Sequence, residues 1–398
     1  MNTLKNEILK SADKIKEQII TDRRTLHKNP EVGFTLPQTT QYVKNRLIKM
    51  GYEPKEIIQS GIVAQIAGKN DGACVLLRAD MDALNICEKT GLDFSSQNKS
   101  MHACGHDMHT AMLLGAAELL KKYQNEINGS VKLVFQPNEE GFGGARSMID
   151  AGVLTNPRPS VALALHVHSQ TPTNTVICAK GLLMASCTIF RITIVGIGCH
   201  GSMPESGIDP INVATHIYLA LQGLVTREIA AKTPVIITVG KFCGGDMANV
   251  IPGTAVMEGT IRTFDEELSK KIMERIKQIA QAVATAFCAS AKTELVAYAP
   301  PLKNDDNFIN AALQYSIELF GKDSVLTIDE GAMGSEDFAY YCKEVPCAYL
   351  MIGAEMKKEN ETAGRPMHNE EVMFDEKALP FGAALYAYQA IRLLYDAK

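Results

Sequence analysis

The chain contains no run of about 18 apolar residues, so nothing in it is expected to cross a bilayer as a helix. It also lacks a lysine and arginine stripe. Forty basic side chains stand against 45 acidic ones, a formal charge of −5, which excludes nucleic acid and anionic membrane as expected partners. There is no pair of C-x-x-C units, which argues against a closed structural zinc ribbon. The glycine-rich stretch 196–204 has neither Rossmann nor P-loop spacing, which weakens a nucleotide reading. The first residues lack the unbroken apolar run of a signal peptide. Leu4, Ile8, Ile15 and Ile19 recur at helical intervals amid charges, as on an amphipathic surface helix. With ten cysteines, several in apolar runs (Cys74, Cys187, Cys288), this leads to the expectation of a reducing cytoplasm.

Histidine is also scarce, nine in 398 residues, yet three fall within residues 102–109. That segment, His-Ala-Cys-Gly-His-Asp-Met-His, adds a cysteine and an aspartate. Thiolate, imidazole and carboxylate are the usual ligands of divalent transition metals. Related groups stand far off at Glu139-Glu140, His166, His168 and His368, as expected if folding assembles one site from separated patches.

The length suggests two domains, and the composition, 46% hydrophobic and 21% charged, is that of a globular protein. Helix is expected over 3–28 and 108–123, the latter with Asp107 as N-cap. Continuous apolar strands at 61–67, 73–79, 131–136 and 161–167 point to a buried, mostly parallel sheet. From about 185 the pattern changes. An alternating strand at 186–196 precedes a helix at 210–228, strands at 234–243 and 253–263, a helix at 265–288 and a strand at 291–298. That β-α-β-β-α-β order is ferredoxin-like. An α/β domain of residues 1–184 and 299–398, interrupted by a small domain of residues 185–298, is the simplest architecture. No internal repeat or low-complexity segment is evident.

Cys104 and His106 precede a helix whose positive end favours a thiolate, and Gly105 permits a turn that aims both at one point. Alone, they read equally as a buried cysteine beside a surface histidine. Glu139 and Glu140 follow a buried strand, where open α/β sheets place ligands. Adjacent carboxylates point in different directions, so one can bind metal while the other faces a water; the plain alternative is a polar loop capping a helix at 144–150. His166 and His168 share one face of a strand end. His368 lies in a loop that apolar packing does not explain, and 334–338 is an acidic turn that reads as a helix cap.

Together these motifs resemble the dinuclear-metal amidohydrolases and exopeptidases, a family that includes aminoacylases, hippurate hydrolases, plant auxin-conjugate hydrolases and N-acetyl-diaminopimelate deacetylases. The resemblance runs nearly end to end, through 23–34, 78–84, 101–110, 135–141, 199–205, 249–252, 258–262, 334–338 and 367–369. It implies a zinc-exopeptidase-like α/β fold, a mixed, mostly parallel sheet flanked by helices, with the inserted domain serving as lid and homodimer interface. It implies two divalent ions per subunit, manganese or zinc foremost, with cobalt or nickel also compatible. Cys104 would bridge them, His106 and His166 would complete one ion's ligands, and Glu140 and His368 the other's. Glu139 would be the general base for a metal-bridging water. His200, from a partner subunit, would stabilise the oxyanion, while Asn249 and Arg262 would hold the substrate carboxylate. The implied reaction is hydrolysis of N-acyl amino acids. A dipeptidase or carboxypeptidase of the same chemistry, a metal-free cysteine hydrolase using Cys104 and His106, and an inactive binding protein are the alternatives. One departure stands out: Asn85 occupies a position where the family usually has proline. Asp80 and Asp82 are expected to support the site without binding metal, with His102, Asp107 and His109 orienting their neighbours.

Overall fold

A computed structural model describes residues 2–357, 361 and 363–397. The chain divides into two compact units. The larger comprises Met1–Leu183, Lys303–Gly331 and Asp337–Lys398; the smaller comprises Met184–Leu302 and Ala332–Glu336. Among the described residues, no helix is long and apolar enough to cross a membrane, and all ten cysteines are free thiols.

The larger unit is built on an eight-stranded sheet. Its order is Lys55–Ile58, Gly61–Ala67, Asn128–Gln136, Asn70–Asp80, Val161–His168, Cys347–Gly353, Val176–Ala179, Val325–Ile328. The central pairings are parallel. Antiparallel pairing enters through Lys55–Ile58 and Gly61–Ala67 on one side and Val176–Ala179 on the other. The sheet is therefore mixed and mostly parallel. Asn128–Gln136 is buried from its second residue onward, which is why it reads as a continuous apolar run.

The helix His106–Lys122 is apolar nearly all round and lies buried. At its middle, Gly115 lets neighbouring helices close in. A β-carbon there would stand 2.7 Å from Ile19 Cδ1 on Lys16–His27 and 2.9 Å from Ala383 Cβ on Ala378–Asp396. Two expectations need correction. The single helix at 3–28 is two, Asn2–Lys14 and Lys16–His27, because Ile15 leaves helical geometry at ψ 6°. Asp107 is not the N-cap of His106–Lys122. Gly105 holds that position at φ 84°, and Asp107 lies in the first turn with its carboxylate turned to other partners.

The smaller unit is a four-stranded antiparallel sheet, order Val235–Gly244, Thr254–Thr263, Ser186–Val195, Ser290–Ala299. Helices Pro210–Glu228 and Glu266–Ala286 are packed on it, giving the ferredoxin-like sequence of elements. Phe190, Ile192 and Ile194 alternate into its core against Val213, Ile217, Ile272 and Ile276. Both helices start on aspartates, Asp209 and Asp265, whose carboxylates accept first-turn amides. The sequence did not foretell the segment Ala332–Glu336, which joins this unit through Ala185 N–H to Ala332 O (3.1 Å) and Ser335 Oγ to Ala185 O (2.8 Å).

Candidate metal centre

The site forms where three parallel strands end together. Asn70–Asp80 delivers Asp80 and, just beyond, Asp82; Asn128–Gln136 leads into Glu139 and Glu140; Val161–His168 ends in His166 and His168. Pairing between Asn70–Asp80 and Val161–His168 stops at Arg78 and Ala164. Past that register two side chains occupy the gap. The Tyr386 hydroxyl donates to Arg78 O (2.6 Å) and accepts from Leu165 N–H (2.9 Å). His109 Nε2 then accepts from Val167 N–H (2.9 Å). The splayed strand ends make the kind of crevice in which open α/β sheets bind ligands.

Local backbone strain aims the ligands. Asn138 and Phe142, which flank Glu139-Glu140, have φ of 55°, and His368 has φ of 65°. His368 is tied to the cysteine loop by its N–H to Ala103 O, 2.9 Å. The turn at Gly105 is pressed against Val167, whose Cγ2 would lie 2.4 Å from any β-carbon there.

Donor atoms of Cys104, His106 and His166 lie within 4.8 Å of one another, and so do those of Cys104, Glu140 and His368. The two triples share the Cys104 sulfur. A third close set joins His106, Glu139 and Glu140. All the residues expected to hold metal, with Glu139, are thus gathered at one place.

Hydrogen bonds sort ligand candidates from supports. His109 uses both ring nitrogens, Nδ1–H to Asp80 Oδ1 (2.6 Å) and Nε2 from Val167 N–H, so it offers no lone pair to an ion. His166 donates Nδ1–H to Val167 O (2.7 Å), which leaves the Nε2 lone pair facing Cys104 Sγ at 3.5 Å. His168 Nδ1 is engaged with Thr171 Oγ1 at 2.8 Å. Asp82 accepts the backbone N–H of Glu139 (3.0 Å) and of Glu140 (3.2 Å) on separate oxygens, fixing the peptide between them. Asp80 accepts from Arg78 Nη1 (2.7 Å), and Nη2 of the same guanidinium donates to Asp337 (3.0 Å). Asp107 accepts from Arg23 Nε and His27 Nδ1, both at 2.8 Å.

The electrostatics call for a cation. His106 is buried, and among the described residues neither ring nitrogen has a hydrogen-bond partner. Carboxylate oxygens surround it: Asp82 at 3.5 Å, and Asp80, Glu139 and Glu140 each at 3.9 Å. Burial pushes the His106 imidazolium down, but Asp80, Asp82 and Glu140 outweigh it and raise its pKa to about 10. Burial likewise acts to raise Glu140, and His368 and His106 bring it below the usual carboxylate range. A donor set of thiol, imidazole and carboxylate that holds a proton so tightly suits divalent metal.

The smaller unit carries the remaining candidates. His200 sits on a two-stranded ribbon, Cys199–His200 against Val250–Ile251, where it pairs with Val250. Its Nδ1 faces Ser202 N (3.1 Å) and Oγ (2.7 Å). Asn249 O accepts from Gly201 N–H (2.8 Å), which places Asn249 beside His200. Arg262, one residue from the end of Thr254–Thr263, donates to Ser335 Oγ. Sequence reasoning missed the roles of Tyr386, Ser202 and the Arg23–His27 pair around Asp107. Arg23 and His27 stand in the matched segment 23–34, but no local pattern marks Tyr386 in its apolar helix.

The sequence profile described as peptidase family M20/M25/M40 matches residues 76–392. The chain is 35% identical to an N-acetylcysteine deacetylase of Bacillus subtilis, over 96% of this chain and 98% of the other. It is 35% identical to a hippurate hydrolase of Campylobacter jejuni, over 94% and 95%. It is 34% identical to thermostable carboxypeptidase 2 of Saccharolobus solfataricus, over 98% of both. Among solved structures, it resembles the YXEP protein of Bacillus subtilis, described as a dinuclear metal binding peptidase, with a TM-score of 0.77 and 33% identity over 96% and 99% of the two chains. The chain therefore belongs to peptidase family M20/M25/M40 and is a hydrolase of amide bonds.

Proposed function

We propose that the protein releases an amino acid from an N-acyl amino acid, using two divalent ions, with manganese or zinc foremost and cobalt or nickel alternatives. The observation that carries this reading is the pair of donor triples sharing Cys104, with Glu139 beside them. Cys104, His106 and His166 would hold one ion; Cys104, Glu140 and His368 the other. Such ions, when bound, polarise the amide carbonyl and make water nucleophilic at neutral pH. Glu139, its backbone pinned by Asp82, takes the proton of the attacking water on a carboxylate oxygen. It then passes that proton to the leaving nitrogen.

The proposal extends to the smaller unit. Asn249 and Arg262 hold the carboxylate of the substrate, and His200 of a second copy meets the developing oxyanion. A homodimer through this unit is supported by its exposed edge strand, Val235–Gly244, with Ile236 40% and Phe242 41% exposed, and by Tyr218 (37%) and Leu219 (59%) on the helix Pro210–Glu228. Ten free thiols fit a reducing compartment such as the cytoplasm.

The test is hydrolysis of N-acetyl-L-cysteine, N-benzoylglycine and an indole-3-acetyl amino acid, after chelation and with each metal restored. Activity lost on chelation and regained with metal supports the reading. Activity that survives chelation but not thiol alkylation sinks it in favour of a cysteine hydrolase. The carboxypeptidase relative favours a second reading; cleavage of dipeptides with none of N-acyl amino acids would establish it.

A further inference from the structure

We propose that Ser202 is a positioning residue that holds His200 in the one ring tautomer able to donate from Nε2. The inference rests on the role proposed above for His200. The Ser202 backbone N–H points at His200 Nδ1 from 3.1 Å. An amide N–H can only donate, so Nδ1 carries a lone pair, and the proton of the neutral ring resides on Nε2. The Ser202 hydroxyl, 2.7 Å from the same nitrogen, is left no choice but to donate as well. Two donors from one residue thus converge on Nδ1, fixing both tautomer and ring plane, while Nε2–H, on the opposite side of the ring, has no acceptor among the described residues. Among the described residues, Ser202 Oγ has no other hydrogen-bond partner, so its hydroxyl is not engaged in holding the turn. The turn itself is closed by backbone bonds, Met203 N–H to His200 O (2.9 Å) and Gly201 N–H to Asn249 O (2.8 Å). Removing the hydroxyl therefore leaves the fold of the ribbon intact while taking away the shorter of the two bonds that hold the ring, so that the backbone N–H holds it alone.

The experiment uses the full chain loaded with metal and the fastest substrate of the panel above. Ser202→Ala is expected to lower kcat about two- to tenfold, the worth of one hydrogen bond, with KM little changed. Ser202→Thr, which keeps the hydroxyl, is expected to restore it. Nitrogen-15 spectra of histidine-labelled protein, with the His200 signals assigned through His200→Gln, read the tautomer directly. The wild type should show an unprotonated Nδ1, and Ser202→Ala, which keeps only the longer backbone bond, a raised share of the Nδ1-protonated tautomer. A protonated Nδ1 in the wild type, or no change of tautomer or of kcat in Ser202→Ala, overturns the proposal. Failure of the oxyanion reading is separate: His200→Ala with full kcat would remove it, whatever the tautomer spectra show.

Discussion

At the residue scale, His27 shows how the ligand loop is buttressed. Its ring lies between Asp107 Oδ2 at 2.8 Å and Glu88 Oε1 at 3.1 Å. Burial pushes the imidazolium down, but Asp107 and Glu88 outweigh it and raise its pKa above the usual value. A raised value means that the stabilisation is fully present below the unfolded pKa of about 6.5 and is lost as pH rises through the native one. Urea unfolding of the metal-loaded protein should therefore show stability falling with rising pH above that point. His27→Gln should cost about 1–3 kcal/mol near neutrality and flatten that fall. A variant with the wild-type pH profile would remove His27 as its origin. Two further residues separate binding from chemistry. Glu139→Gln should keep its metal and lose about 10²–10⁴-fold in kcat. Cys104→Ala should lose both ions in a metal assay, because its sulfur belongs to both triples. Retention of both ions by Cys104→Ala would contradict a shared ligand.

At the scale of elements, the C-terminal helix does more than cover the sheet. Tyr386, fully buried, replaces one rung of the ladder between Asn70–Asp80 and Val161–His168 with its hydroxyl. Tyr386→Phe would remove the buried bonds to Arg78 C=O and Leu165 N–H, a loss of about 1–3 kcal/mol. Urea unfolding measures it; a variant as stable as the wild type would show the bridge to be dispensable. His109 acts in the same way further along the ladder, where it takes up Val167 N–H, and the strand end that both side chains support carries His166. Element boundaries in the smaller unit were plain in the sequence because period-two strands and aspartate-capped helices are local signals. The start of His106–Lys122 was misplaced because a left-handed glycine, not the aspartate, turns the chain there.

At the scale of the whole molecule, the site gathers several carboxylates around a buried histidine, so removing metal should destabilise the larger unit. Saturating metal at about a thousand times its Kd adds about 4 kcal/mol per site. Calorimetry with and without chelator should show a clear drop in Tm; an unchanged Tm would argue against bound metal in the native protein. The proposed sharing between copies is tested by mixing His200→Ala and Glu139→Gln chains, each inactive alone. Partial activity should return in verified heterodimers, and its absence would place His200 outside a shared site.

The sequence by itself determined the kinds of donor and their order: Cys104 and His106 about a glycine, Glu139 beside Glu140, His166 at a strand end, His368 in a loop. It also determined the ferredoxin-like succession of the inserted elements, since residue type and periodicity are local properties. Only the tertiary structure decided which nitrogen each histidine has left to give. It also decided that Asp107 serves Arg23 and His27, and that a tyrosine completes the ladder. Those outcomes depend on partners remote in the chain: 58 residues separate Val167 from His109, 80 separate His27 from Asp107, and 308 separate Tyr386 from Arg78. A buried polar group must be paired, but which group pairs it is set by what the fold brings alongside.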